Sequence, residues 1–315
     1  MTDTPTIFTA HDVPDLLNAL PTLFGFRPSD SLVAVATRGS RRRFGFRLRV
    51  DIPALEHVDQ LSDLVADHLR QQGAEGAILV AVTEQQEVAR SLLAAVESHL
   101  DEIELVIAVR ADCSRYWIDA LDFPEDGIAY EISDHHLSIV KAIAAGQQIL
   151  PDRAALAARF APVEGARRRD MMQLTDAVIA EIVHLSDDEV RALADQVGSI
   201  LDRVLAGESL TDADAVRLSV WVSKRELRNE VWARITRDTA TEMLSLLTRV
   251  ASIVVPPFEP AVLSLAGFAA WLSGDGAQAL MAVERALEAD PEQPMALGVL
   301  KLLEGGVSPV HWNEF

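Results

Sequence analysis

The chain has 315 residues, 49% hydrophobic and 24% charged, which is enough apolar content for two packed domains and too much for a disordered or fibrous class. Its 28 basic and 48 acidic residues leave a net charge of −20, which repels phosphate backbones and anionic lipid. Neither nucleic-acid binding nor a membrane-surface role is expected.

The single cysteine, Cys113, excludes an intrachain disulfide and a cysteine-based zinc site, so a reducing cytoplasm is the expected setting. Met1 to Ala10 lacks the basic and apolar blocks of a signal peptide. No stretch approaches the roughly 18–20 apolar residues that span a bilayer.

The first half reads as α/β. His11 to Leu23 is an amphipathic helix stopped by Gly25 and Pro28. Ser31 to Thr37 is a continuous apolar strand. Phe44 to Val50 alternates, with Phe44, Phe46, Leu48 and Val50 expected on one face. The short polar link Arg38–Arg43 makes the two strands an antiparallel hairpin. Val58, Leu61, Leu64, Val65 and Leu69 form a helical stripe, followed by a strand, Ala77–Val82, that is apolar on both faces. A second stripe, Val88, Leu92, Val96 and Leu100, leads to a strand at Glu104–Val109. Tyr116–Ala120 and Ile128–Ile132 are candidate edge strands.

From about Leu137 the pattern is helical. Ser186 and Glu189 have capping-box spacing, Thr211 suits an N-cap, and Gly146 and Gly207 suit positions just past helix ends. The expected domains are 1–150, α/β with a mixed sheet, and 151–315, all-α. Both are acidic, at −11 and −9. After Pro256-Pro257, the residues Gly267, Ala279, Val283, Ala286 and Pro291 fall where a tetratricopeptide repeat places small residues and its closing proline. The repeat's large aromatics are missing, with Leu263 and Ala270 in their places. The same spacing suits an ordinary helical hairpin.

Leu20 to Thr37, LPTLFGFRPSDSLVAVAT, and Phe46 to Pro53, FRLRVDIP, resemble the opening of the actinobacterial family called domain of unknown function 4192. Ala144–Pro162, Ala269–Asp275 and Gly305–Trp312 continue the resemblance over nearly the whole chain. Many members carry a cysteine-rich segment after a tryptophan. Here Trp117 is followed by Pro124–Gly127 without cysteine, so no metal or redox role is implied for that segment. The resemblance implies a bacterial cytoplasmic protein and no activity.

Strands joined by helical crossovers are parallel and end at a common edge, where ligands of open α/β sheets bind. That rule brings Asp51, Thr83, Glu84, Arg110 and Asp112 together, with Asp30 and Ser31 from the start of the hairpin partner and Arg49 beside them. The candidate ligand-binding edge is therefore Asp30, Ser31, Arg49, Asp51, Glu84, Arg110 and Asp112. Its carboxylates have the chemistry for a divalent cation or a general acid–base pair. The same residues suit structure alone: Asp30 and Ser31 a turn, Thr83 an N-cap, Arg49 and Asp51 an ion pair.

Asp134-His135-His136 offers metal donors, but neighbouring helical residues point about 100° apart and no third ligand is placed. Gly-x-Gly-x-x-Gly, a phosphate-binding loop and a nucleophile elbow are absent from the sequence. Arg41–Arg43 and Arg167–Arg169 are basic islands suited to solvated turns or salt bridges with a partner. The expected function is a non-catalytic binding or regulatory module with no cofactor and no resident metal. It would take a protein partner or small ligand and could form a homo-oligomer. The alternative is a hydrolase-like small-molecule enzyme working at the strand-end carboxylates.

Overall fold

The structure, a computed structural model, describes residues 10–314. The expectation about a signal peptide thus falls almost entirely outside the described residues. Two compact units are present, Met1–Arg153 and Ala154–Phe315.

The first unit opens with α1 (Val13–Phe24). Its N-cap, Asp12, accepts the Asp15 N–H at 2.8 Å, and it ends where Gly25 turns left-handed (φ 73°). Then come β1 (Ser31–Arg38), β2 (Arg43–Asp51), α2 (Val58–Gln71), β3 (Gly76–Val82), α3 (Gln86–Ser98), β4 (Glu104–Ala111), β5 (Arg115–Ile118), β6 (Ile128–Ala129) and α4 (Leu137–Ala144). The six strands form one mixed sheet in the order β2-β1-β3-β4-β5-β6. β1 runs antiparallel to both neighbours, β3 and β4 are parallel, and the remaining pairs are antiparallel.

Both faces of the sheet centre are covered, which is why β1 and β3 read as unbroken apolar runs. Leu32, Ala34, Ala36, Leu79 and Ala81 pack against Val65 and Leu69 of α2 and Leu92 and Val96 of α3. Val33, Val35, Val80 and Val109 pack against Leu16, Leu17 and Leu20 of α1. Each Leu or Val so buried contributes roughly 1.5–3 kcal/mol.

The expected alternation of β2 fails at one residue. Val35 pairs with Arg47 but Thr37 pairs with Phe44, so β2 carries one residue more than β1 across this step. The bulge reverses the faces beyond it. Phe46, Leu48 and Val50 pack on the α2–α3 side, while Phe44 leaves that set and is 36% exposed. The two outer strands are also shorter than expected, since β5 stops at Ile118 and β6 at Ala129.

Near the boundary come α5 (Arg153–Ala157) and then, in the second unit, α6 (Gly165–Ile182), α7 (Asp187–Ala192), α8 (Ala194–Leu205), α9 (Asp212–Trp221), α10 (Arg225–Ala233), α11 (Ala240–Ala251), α12 (Glu259–Leu272), α13 (Gly276–Ala289) and α14 (Pro294–Glu304). Ser186 and Glu189 make the reciprocal capping box, and the Thr211 hydroxyl accepts the Asp214 N–H at 3.1 Å. Gly146 and Gly207 adopt φ 88° and 97° just past α4 and α8. Every residue of α12 is buried, as befits a helix packed against α11, α13 and α14. At Gly267 a Cβ would sit 2.6 Å from Val283 Cγ1, so only glycine allows α12 and α13 this approach. Trp271 seals one side of α12, its Nε1 donating to the Val307 carbonyl at 3.0 Å and its ring standing at 87° to Trp312.

Candidate functional site

The register places the expected residues at one sheet edge. Ser31, where β1 begins, lies opposite Asp51 on one side and Val82 on the other, and Val82 lies opposite Ala111. The ends of β2, β3 and β4 therefore line up with the start of β1, and Asp30, Ser31, Asp51, Glu84, Arg110 and Asp112 all fall near this edge. The sheet nevertheless puts Ser31 and Asp51, with Arg49, in one cluster and Arg110 in another, while Asp30, Glu84 and Asp112 belong to neither.

The first cluster lies on the α1 side. Arg49 pairs with Val33, a residue of that face. Its Nε donates to the Ser31 hydroxyl at 2.8 Å, its Nη2 lies 2.6 Å from Asp51, and its guanidinium stands 5.9 Å from the Phe26 ring centre. Ser31 is fully buried, and its hydroxyl donates to the Ser29 carbonyl at 2.5 Å. Burial draws the Arg49 guanidinium below its usual range, and the Asp51 carboxylate opposes that shift.

The second cluster lies on the α2–α3 side. Arg110 pairs with Ala81, a residue of that core. It is 5% exposed, with Nη2 2.9 Å from Asp119 and Nη1 3.4 Å from the Gln86 side-chain Oε1 at the start of α3. The Trp117 ring covers it at 5.9 Å. Gly127 permits this roof, because a Cβ there would meet Trp117 Cε2 at 2.5 Å. Arg110 Nε is buried without a hydrogen-bond partner.

The remaining groups are held locally. The Thr83 hydroxyl donates to Asp30 at 2.7 Å and accepts the Gln85 N–H at 3.2 Å, so it braces the β3–α3 turn. The N-cap of α3 is Gln85, two residues beyond Thr83, which corrects the expected cap. Asp112 Oδ1 accepts from the Ser114 N–H at 2.6 Å, the Ser114 hydroxyl at 2.9 Å and the Arg115 N–H at 2.6 Å. Burial pushes its carboxyl up, but these donors and the Arg115 charge outweigh burial and hold it below the usual carboxylate range. Glu84 is exposed, and so is Cys113.

His136 caps α4, with Nδ1 2.7 Å from the Ser138 hydroxyl and Nε2 3.2 Å from Asp15. Among the described residues no group of three or more His, Cys, Asp or Glu is arranged to hold a metal ion.

Sequence reasoning missed Asp119, Gln86 and Trp117, which surround Arg110. The local signal was present: Trp117 lies two residues before Asp119, on a strand that pairs Trp117 with Arg110. It also missed an open cleft of about 420 Å³ in the second unit, lined by Asp195, Gly198, Ser199, Asp202, Arg203 and Arg234. There Arg234 is ion-paired to Asp202 and Glu230.

No curated protein and no solved structure matches the chain. A family model described as Domain of unknown function (DUF4192) matches residues 14–310. With the β1–β2 hairpin and nearly all of the opening helix and the helical second unit inside that match, the chain belongs to the DUF4192 family.

Proposed function

We propose that the protein is a non-catalytic binding or regulatory module, acting on a protein partner or small ligand. The observation that supports this reading best is the state of the edge carboxylates. Asp51 is ion-paired to Arg49, Asp30 accepts from Thr83, and Asp112 is committed to three donors that favour its ionised form. A general acid must carry a proton near neutral pH, and the lowered Asp112 carboxyl does the opposite. Arg49 and Arg110, on opposite faces, serve two different clusters.

In this reading the second unit supplies contact surface. We read α12, α13 and α14 as a tetratricopeptide-like hairpin and capping helix, a reading supported by the close approach at Gly267. One such unit does not make a peptide groove, which takes about three.

The test compares the parent with Asp51→Asn/Glu84→Gln/Asp112→Asn on p-nitrophenyl esters and phosphates, with and without Mg²⁺ or Mn²⁺. The expected result is no turnover that depends on the three carboxylates. Turnover present in the parent and lost in the variant would establish the enzyme alternative.

A further inference from the structure

The end strand β2 is complementary to itself. It is last in the sheet order, so its outer side faces no further strand among the described residues. The register fixes which backbone groups turn outward. Ile52 N–H donates to the Asp30 carbonyl at 2.9 Å. Bonded pairs in an antiparallel ladder recur at every second residue. Val50 and Leu48, opposite Leu32 and Ala34, are therefore bonded to β1. Arg49 and Asp51 alternate with them, and their N–H and C=O groups point away from the sheet. Such an edge is a template for an added strand. The open stretch is short. The bulge between Phe44 and Arg47 ends it on one side, and Pro53, which has no N–H, ends it on the other.

Charge then selects one register for a second, antiparallel copy of β2. A two-fold axis at Val50 sets Arg49 of each copy opposite Asp51 of the other, and these are the residues with outward amides. An axis at Leu48 or Arg49 lays arginine opposite arginine, and an axis at Asp51 lays aspartate opposite aspartate, which is unfavourable for facing residues. Both faces of the strand agree with the Val50 axis. On the α1 side Arg49 holds Asp51 of its own chain at 2.6 Å, and the Asp51 side chain, 65% exposed, is open to the second copy's Arg49. Two arginines and two carboxylates then alternate across the seam. On the α2–α3 side Val50 faces Val50 and Leu48 faces Ile52, all apolar and only partly buried in one copy. The exposed Arg41 and Arg43 of the two copies lie at opposite ends of the pair and do not meet.

We propose that two copies of the chain associate edge to edge through β2, antiparallel about a two-fold axis at Val50, so that their sheets become continuous. The contact is isologous: one stretch, Leu48 to Ile52, supplies both sides. That stretch is short beside a standard interface of roughly 1,200–2,000 Å², and the copies repel through their net charge of −20. The association is therefore weak and driven by concentration. The inference goes beyond the binding-module reading and does not rest on it. Carboxylate-dependent turnover would remove that reading and leave the dimer standing.

Sedimentation velocity of the full chain over a rising concentration series reads the association, and single-cysteine variants in a Cys113→Ser chain read the register. The expected result is a monomer when dilute that passes into a species of twice the mass, with the Arg49 and Asp51 amides gaining protection from hydrogen exchange as it forms. Asp51→Arg sets arginine opposite arginine across the axis. It should raise the dissociation constant about tenfold or more in a chain with the parent's far-ultraviolet spectrum. Val50→Cys should join two copies by a disulfide under mild oxidation, because residues facing each other in a non-bonded pair stand about 4.5 Å apart at Cα, within disulfide reach. Leu48→Cys should not, since the two Leu48 positions are offset by about 13 Å along the ladder. A monomer at every concentration overturns the proposal, as does a dimer that is indifferent to Asp51→Arg or leaves the β2 amides unprotected. Cross-linking through Leu48→Cys as readily as through Val50→Cys overturns it too. Amides of Arg49 and Asp51 already protected in the dilute monomer would mean that another segment of the chain holds the edge, which also overturns it.

Discussion

Gly76 shows how one missing side chain fixes the sheet. It begins β3 between β1 and β4, and a Cβ there would lie 2.6 Å from Thr37 Oγ1 and 2.9 Å from Val106 Cγ2. Thr37 is buried, so it has little room to yield. Gly76→Ala should cost about 1–3 kcal/mol in urea unfolding by overpacking; a midpoint equal to the parent's would show that the strands separate freely. Asp112 makes the opposite kind of contribution, through charge. Because its folded pKa is lowered, the unfolded chain takes up the proton first as pH falls. Its stabilisation is full above the ordinary aspartate value of about 3.9 and fades as pH drops through the lower folded value. Discounted for solvent screening of this partly exposed carboxylate, Asp112→Ala should cost up to about 1 kcal/mol at neutral pH and progressively less in acid. A pH-independent loss would mean that only the shape of the turn matters.

Among the elements, the α12–α13 hairpin offers the sharpest test of packing. Gly267→Leu should cost about 1–3 kcal/mol, because the new side chain meets Val283 and the Ala279 carbonyl across the seam. Glu292→Ala, at an exposed position, should cost about 0.5 kcal/mol or less. Equal unfolding midpoints would contradict the close approach. Gly267 was legible in the sequence because small residues recur at helical spacing around it. The β2 bulge was not, since period-two alternation across Phe44, Phe46, Leu48 and Val50 looks unbroken, and the extra residue exists only in the pairing with β1. The minor offset of Thr83 from the α3 cap has a similar origin. A threonine before a helix suits both a cap and a turn brace, and the Asp30 contact that decides between them comes from distant sequence.

At the scale of the whole molecule, the crossover rule made the sheet edge legible because the covalent order β2-α2-β3-α3-β4 fixes strand direction. The division of that edge was not legible. Which face Arg49 and Arg110 take depends on register, and Asp119 and Trp117 come from a strand read only weakly. Charge makes a simpler forecast. With net charge −20 the purified protein should not shift a labelled DNA duplex even at low salt; tight binding that weakens steeply with added salt would show a local surface overruling the total.

The central claim is that the carboxyl edge is two independent structural clusters and not one reactive site. A double-mutant cycle on stability with Arg49→Met and Arg110→Met tests it most directly, since each variant removes the cation of one cluster. The predicted result is additive losses, with a coupling of about 0.5 kcal/mol or less, as for residues that share no partners. A coupling above about 1 kcal/mol would place both arginines in one shared site and contradict the account.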